Sequence, residues 1–346
     1  MPVTRKILEM LRSGELESRY ANLLRVSRHD RGLVLLNYTD ACQHARAWDD
    51  VTTACRGLIL DPATGEVVAR PFPKFFNWGE QDVTPVPGPV LVTEKVDGSM
   101  GILYRLGGEL ALATRGAFAS REAQRGTAML RALPNARDVP HELTLLFEIV
   151  TVDGGSNMVK YDYEGLVLLG ALDRFTGVEL QHPEVVALAG HLGVRTPIVY
   201  PHSSLDEALT ARVGLPANFE GFVVRFADGL RLKLKGEAYL AALRASAALS
   251  TGKVRDALAA GEAAYRALEL KTPEELRPDL ERVAGELRAR AEALRTRAEQ
   301  TFARAPQGAD RRSFAVWVQQ NAADDLRGAM FKLLDGRAPN WYTLLD

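Results

Sequence analysis

The sequence predicts an α+β fold: mostly antiparallel sheets with flanking helices, followed by an all-α C-terminal domain. Three observations predict it. The chain has 346 residues, more than one hydrophobic core usually serves. From Leu33 to about Gly236 short β-rich runs are separated by Gly, Pro, Asp and Asn, the signature of strands joined by turns. Beyond Gly236 such runs vanish and Ala, Leu, Arg and Glu dominate. The expected boundaries are 1–236 and 237–346, with helices in 1–32 belonging to the first domain.

The elements follow in order. Ile7, Leu8 and Leu11, then Leu16, Tyr20, Leu23 and Leu24, keep helical spacing around a break at Gly14, which predicts two short helices before His29-Asp30-Arg31-Gly32. Strands are predicted from the runs LVLLNY, GLIL, VVARPF, VLVTEKV, GILYRL, ELALATR, LTLLFEIV, GLVLLGAL, GFVVRF and LRLKLK, with helices over 182–192 and 204–212 between them. In 274–302 the positions Leu276, Leu280, Val283, Leu287 and Leu294 recur at three, four or seven, one apolar stripe of a bundle helix. Ala305-Pro306-Gln307-Gly308 ends it, and another helix is expected over about 312–334.

Composition bounds the function. Hydrophobic content is 47% and charged content 25%, as in ordinary globular proteins. Net charge is −1, from 43 Lys and Arg against 44 Asp and Glu, so any nucleic-acid surface is a local patch rather than a global field. Cys42, Cys55 and six histidines show no zinc spacing, no CxxC and no disulfide framework, which suits a reducing cytoplasm. The start reads as a charged helix rather than a signal peptide, and no run nears the roughly 18 apolar residues of a membrane span; no membrane partner is expected.

The chemistry centres on Thr93-Glu94-Lys95-Val96-Asp97-Gly98-Ser99. Alone, Lys-x-Asp-Gly at a strand end describes a polar turn. Its companions are Phe147-Glu148, Phe219-Glu220-Gly221 and Lys233-Leu234-Lys235. Residues i and i+2 of a strand share a face, so Lys233 and Lys235 project together, opposite Leu232 and Leu234. Glu148 and Glu220 follow Phe and precede apolar β-formers, where an unpaired buried carboxylate is costly; each needs a cation or a hydrogen-bond donor. The set suits a nucleotide: cations for phosphates, carboxylates for ribose hydroxyls or a hydrated Mg²⁺, and an amine to attack phosphorus. Attack requires an uncharged Lys95, and nearby cations and partial desolvation favour losing its proton. Gly98 permits a tight turn beside the nucleotide, and Asp97 offsets the positive charge.

This ordered set resembles the covalent nucleotidyltransferase superfamily of ligases and mRNA capping enzymes. More narrowly it is similar to the phage-type RNA ligase 1 family, through Cys55-Arg56-Gly57-Leu58-Ile59 and Arg70-Pro71-Phe72-Pro73-Lys74-Phe75-Phe76-Asn77 upstream. The resemblance covers roughly residues 33–245. It implies an adenylyltransferase domain in which Lys95 is adenylated by ATP, Lys233 and Lys235 hold the α-phosphate, Glu148 binds the ribose, and Glu220 holds a metal-bound water of Mg²⁺ or Mn²⁺. It also implies nucleotide contacts from Arg56, Lys74, Phe76, Glu94 and Gly98, tyrosines Tyr38 and Tyr239 near the site, and a purine lining of Leu169 and Val223.

Two departures stand out. Thr114-Arg115-Gly116-Ala117 occupies the place of a Ser-Lys-Gly-Ser element, so Arg115 brings a planar fork in place of a point charge. Ser156-Asn157-Met158-Val159 lacks an arginine often found there. The implied activity joins 3′-hydroxyl and 5′-phosphate RNA ends through lysyl-AMP and RNA-adenylate, in RNA repair. The last hundred residues match only in being helical, and the helix over 274–302 could dock a partner protein or RNA. Alternatives are a DNA ligase or a GTP-using capping enzyme, which usually carry a β-barrel after Lys-x-Lys, or a catalytically idle RNA-binding module.

Overall fold

The computed structural model describes residues 3–345 apart from 82, 153–157, 247–249, 274–275, 307 and 309. The chain divides into two compact units, 1–242 and 243–346.

In the first unit α1 (Val3–Ser13) and α2 (Glu15–Arg19) lead into β1 (Leu24–Arg28) and β2 (Val34–Tyr38). Two short helices, α3 (Asp40–His44) and α4 (Asp50–Ala54), precede β3 (Arg56–Asp61), β4 (Glu66–Ala69), β5 (Phe76–Asn77) and β6 (Leu91–Glu94). Then come β7 (Ser99–Leu106), β8 (Glu109–Ala113), α5 (Arg121–Ala132), β9 (Leu143–Val150) and β10 (Gly165–Asp173). The unit continues with α6 (His182–Leu192), β11 (Val199–Tyr200), α7 (Leu205–Ala211), β12 (Gly221–Arg225) and β13 (Arg231–Lys235).

These strands form three sheets, ordered β1-β2-β3-β4, β10-β9-β7-β8 and β11-β6-β12-β13-β5. Pairing is antiparallel except between β13 and β5. The first two sheets face each other across a core of Leu33, Leu35, Ile59, Ile102, Tyr104 and Leu146. Ile7, Leu11 and Leu16 of α1 and α2 cover the other face of the first sheet, against Val34, Leu36, Leu58 and Leu60. On the second sheet the outer cluster joins Leu130, Val185 and Leu192 to Leu145, Phe147 and Ile149. In the third sheet Val92, Phe222, Val224, Leu232 and Leu234 pack beneath Leu205, Ala208 and Leu209 of α7.

The second unit is helical. α8 (Glu237–Ser246) crosses the division, which therefore falls inside a helix beginning just after Gly236. It is followed by α9 (Thr251–Ala260), α10 (Glu262–Lys271), α11 (Arg277–Phe302), α12 (Arg311–Asn321) and α13 (Asp324–Leu334). α11 buries Leu280, Ala284, Leu287, Ala291, Leu294 and Ala298, a strict alternation of four and three that marks a knobs-into-holes seam. The seam runs through Ala284, with Val283 only partly buried at its edge. Among the described residues no helix is long and apolar enough to cross a membrane.

Three sequence expectations need correction. Leu23 and Leu24 do not extend the second helix: Leu24 and Val26 alternate with Arg25 and Ser27, and this period of two pairs with β2. The single helix over about 312–334 is two, because Ala322 is extended at φ −107°, ψ 134° and Asp324 and Asp325 occupy the first turn of α13, where acids favour a helix start. VVARPF is a strand only as far as Ala69, since Pro71 and Pro73 cannot donate to a ladder. Cys42 and Cys55 are buried free thiols. Replacing Leu280, fully buried in the α11 seam, by Ala is expected to remove about 2–5 kcal/mol from the helical unit, read as a lowered urea midpoint at unchanged m-value.

Candidate active site

One face of the third sheet forms the floor of a cleft of about 920 Å³. Cross-strand register puts Leu91, Arg225 and Arg231 on one rung and Thr93, Val223 and Lys233 on the next. On the third rung Gly221 faces Lys235 while the Lys95 N–H donates to the Gly221 carbonyl at 2.7 Å. The opposite face is the apolar set under α7, so strand alternation alone sorts the charged side chains onto the cleft. From the Lys235 rung to the Arg231 rung spans about 13 Å, four residues of strand.

Lys95 lies just past the end of β6. Its Nζ donates to Glu220 Oε2 at 2.7 Å, and Lys235 Nζ approaches Glu220 Oε1 at 2.7 Å. Glu220 is 4% exposed. Burial alone would raise its carboxyl, but the Lys95 and Lys235 ammonium groups overcome this and hold it below the usual carboxylate range. The expectation that Glu220 needs a cation is met by two. Gly221 makes the arrangement possible: its φ is 143°, and a Cβ there would lie 2.0 Å from the Leu234 carbonyl oxygen.

Glu148 projects from β9 into the same cleft. Burial pushes its carboxyl up to about 8; Lys95 opposes the shift, while Glu220 and Asp97 add to it. Gly98 is required here by Glu148, since a Cβ would stand 2.9 Å from Glu148 Cγ and 2.7 Å from the Ile149 carbonyl oxygen. Asp97 is also raised, by burial and then by Glu220. Its backbone N–H donates to the Tyr161 hydroxyl at 2.9 Å, and its Oδ2 accepts from the Val159 N–H at 3.0 Å. Asp97 therefore anchors the chain at 159–161, beyond the charge balance expected of it. Ser156 and Asn157 lie outside the described residues.

A bulge delivers Arg56. The β2–β3 register shifts so that Asn37 faces Arg56, and Gly57 takes φ 97°, where a Cβ would lie 2.3 Å from Ile102 Cδ1. Regular alternation would place Arg56 with Leu58 and Leu60 beneath the helices; the bulge turns it onto the cleft. Arg56 approaches Met100 Sδ at 3.2 Å and the Phe75 ring at 5.2 Å. Arg115 donates to the Tyr38 hydroxyl at 2.8 Å, so the arginine of the departed element is fixed by a tyrosine.

The cleft gathers Tyr38, Arg56, Glu94, Lys95, Gly98, Arg115, Glu148, Leu169, Val223 and Lys233 in its lining. Asp97, Glu220 and Lys235 stand beside Lys95. Lys74, Phe76 and Tyr239 are not part of that lining. Phe75, just before β5, is the ring that faces the cleft, 5.2 Å from Lys233 Nζ. Phe76 turns instead toward Lys74, whose ammonium is buried among the rings of Phe76, Trp48 and Tyr38 at 5.2, 5.4 and 5.6 Å. Tyr239 packs against Lys235 at 5.4 Å.

Sequence reasoning missed the far end of the cleft. There Glu179 pairs with Arg231 in a two-pronged contact and with Arg225 at 3.2 Å, and Arg231 stacks 3.9 Å over Phe72. The alternation of Val223 with Arg225 and of Lys233 with Arg231 carried the signal for the arginines; nothing local marked Glu179.

Residues 54–239 match the family model described as RNA ligase, of the phage type. That span exceeds half of the chain. The chain belongs to this RNA ligase family. A protein of Thermovibrio ammonificans that bears an RNA ligase name is 32% identical over 131 residues, 35% of this chain and 34% of its own length. RNA ligase 1 of bacteriophage TS2126 is 40% identical over 72 residues, 17% of this chain and 18% of its own length. The chain thus matches about a third or less of these relatives' length. Among solved structures an archaeal ATP-dependent RNA ligase aligns with a TM-score of 0.50 at 15% identity, covering 98% of this chain and 100% of that one. This is a likeness of fold, and it agrees with the α+β architecture followed by helices.

The elevated Glu148 gives a pH prediction. The folded protein retains a proton that the unfolded chain releases near 4.5, so unfolding free energy should fall as pH rises from about 4.5 through about 8. Glu148→Gln should flatten that window in urea titrations, and a carbon-13 carboxyl resonance of Glu148 should titrate near 8.

Proposed function

We propose that this chain is an ATP-dependent RNA ligase that joins 3′-hydroxyl and 5′-phosphate ends through lysyl-AMP and RNA-adenylate. The observation carrying the proposal is the Lys95–Glu220–Lys235 arrangement at one end of a nucleotide-sized cleft; family membership and the archaeal enzyme's fold support it. Residues 1–236 serve as the adenylyltransferase domain and 237–346 as a helical domain that tunes the choice of substrate or docks a partner.

In the first step Lys95 Nζ attacks the α-phosphorus of ATP, forming a P–N bond as pyrophosphate leaves in line. Nζ must surrender a proton before it attacks, and Glu220, whose carboxyl two ammonium groups hold low, positions the amine while that proton leaves to solvent. Lys233 and Lys235 meet the charge on the transferring phosphoryl group. Glu148 and Arg56 face the ribose; Leu169 and Val223 flank the purine, with Glu94 and Thr93 beside it. In the second step AMP passes from Lys95 to an RNA 5′-phosphate, and in the third a 3′-hydroxyl attacks that phosphate and AMP leaves. Each is a displacement in which the protein positions and stabilises charge.

Among the described residues no cluster of three His, Cys, Asp or Glu forms a metal cage. That suits Mg²⁺ or Mn²⁺ held chiefly by triphosphate oxygens and water, with few protein carboxylates. Glu220 would reach it through water, using the lone pairs its two lysines leave. When bound, the cation supplies positive charge to the triphosphate.

Lys95→Ala should abolish transfer of α-labelled ATP to the protein while circular dichroism stays unchanged; a retained covalent label would remove Lys95 from the mechanism. Lys233→Ala or Lys235→Ala should slow adenylation at least ~10²-fold, the scale of losing one preorganised donor. Ligation of defined oligonucleotides, with RNA or DNA on each side of the junction and ATP or GTP as cosubstrate, separates the proposal from a DNA ligase or capping enzyme. An intact-mass gain of one AMP separates it from an idle RNA-binding scaffold.

A further inference from the structure

At the end of the cleft formed by the first sheet, Arg25, Asn37 and Arg56 stand side by side on one rung of β1, β2 and β3. Asn37 occupies an interior strand and is 9% exposed, yet its Oδ1 has no hydrogen-bond partner among the described residues. It lines the cleft together with Arg25, Arg56 and Arg115. A buried amide oxygen without a donor is unfavourable, and an apolar residue would suit the strand better. A hydroxyl group entering the cleft would supply the missing donor.

Phosphate oxygens carry no proton to give at neutral pH, whereas a hydroxyl does. Arg25 is exposed at the rim beside Asn37, and Arg115 is held by Tyr38 across from it. Asp40 and Glu122 stand in the same lining, which limits the local positive field to what one phosphate needs rather than a long polyanion. A hydroxyl donor next to a single phosphate describes the last ribose of an RNA strand. The rung also joins the reacting groups: Arg56 is coupled electrostatically to both Arg115 and Glu148, and Glu148 to Lys95.

Resting on the RNA ligase reading, we propose that Asn37 and Arg25 form the subsite for the 3′ end of the acceptor strand. Asn37 Oδ1 accepts a hydrogen bond from the terminal 2′-hydroxyl, and Arg25 pairs with the adjoining internucleotide phosphate. The 2′-hydroxyl is the group that distinguishes RNA from DNA, so Asn37 acts as a specificity determinant for the sealing step.

The test isolates that step by supplying a pre-adenylated donor oligonucleotide and acceptors ending in ribose or in 2′-deoxyribose. The wild-type protein should prefer the ribose end. Asn37→Leu should slow sealing of the ribose end about 10-fold, the scale of one lost hydrogen bond, and leave the deoxyribose end unchanged, erasing the preference. Arg25→Ala should raise the acceptor KM several-fold for both ends and weaken its dependence on salt. Self-adenylation by ATP, read as intact mass, should proceed in both variants. A preserved ribose preference in Asn37→Leu overturns the proposal; so does an equal loss of self-adenylation, which would assign Asn37 to the nucleotide. Should Asn37→Leu fail to fold, an unchanged acceptor KM in the exposed Arg25→Ala variant overturns it alone. A wild-type protein that gains no AMP mass refutes the ligase reading itself, and this inference with it.

Discussion

The carboxylate of Glu220, shared between Lys95 and Lys235, is the interaction on which the site depends. A buried carboxylate with one cation would balance a single charge; with two it leaves one positive charge over, which Asp97 beside them offsets in part. The same shared contact ties the chain just beyond β6 to β13, two strands that are not neighbours, since β12 lies between them. The site is thus a stitch across the third sheet as well as a place for chemistry.

Glycine backbone geometry sets the remaining charged groups. Gly221 lets the chain leaving Glu220 pass against the Leu234 carbonyl, Gly98 lets the turn after Lys95 pass beside Glu148, and Gly57 creates the bulge that brings Arg56 opposite Asn37. In each case a methyl group would collide with backbone or with a packed side chain. The short motifs around these glycines are therefore steric statements: a charged residue is placed on the cleft because its neighbour lacks a Cβ.

Much of this was legible in the sequence, and the reason is the period of two. Lys233 and Lys235 against Leu232 and Leu234 could be assigned to faces without a structure, and Glu148 within the unbroken run LTLLFEIV was marked by the cost of burying an unpaired carboxylate. The α+β texture and the helical end were legible from turn residues and their disappearance. What was not legible depends on partners distant in the chain. Phe75 and Phe76 are equivalent as a pair until β5 is docked beside β13, and only then does one face Lys233 and the other Lys74. Asn37 and Arg25 acquire meaning from cross-strand register, and Glu179 from arginines some fifty residues away. The strand β1 was hidden for a local reason: Leu23 and Leu24 adjoin a true helix and prolong its spacing on paper.

The anchoring of Asp97 has a mechanical consequence. Its backbone N–H and its carboxylate hold Tyr161 and Val159, so the turn bearing the lysine and the segment leading into β10 are joined at two points. A displacement of that segment would therefore be felt at the amine two residues away. The aim of the lysine is in this way tied to a stretch of chain more than sixty residues further on.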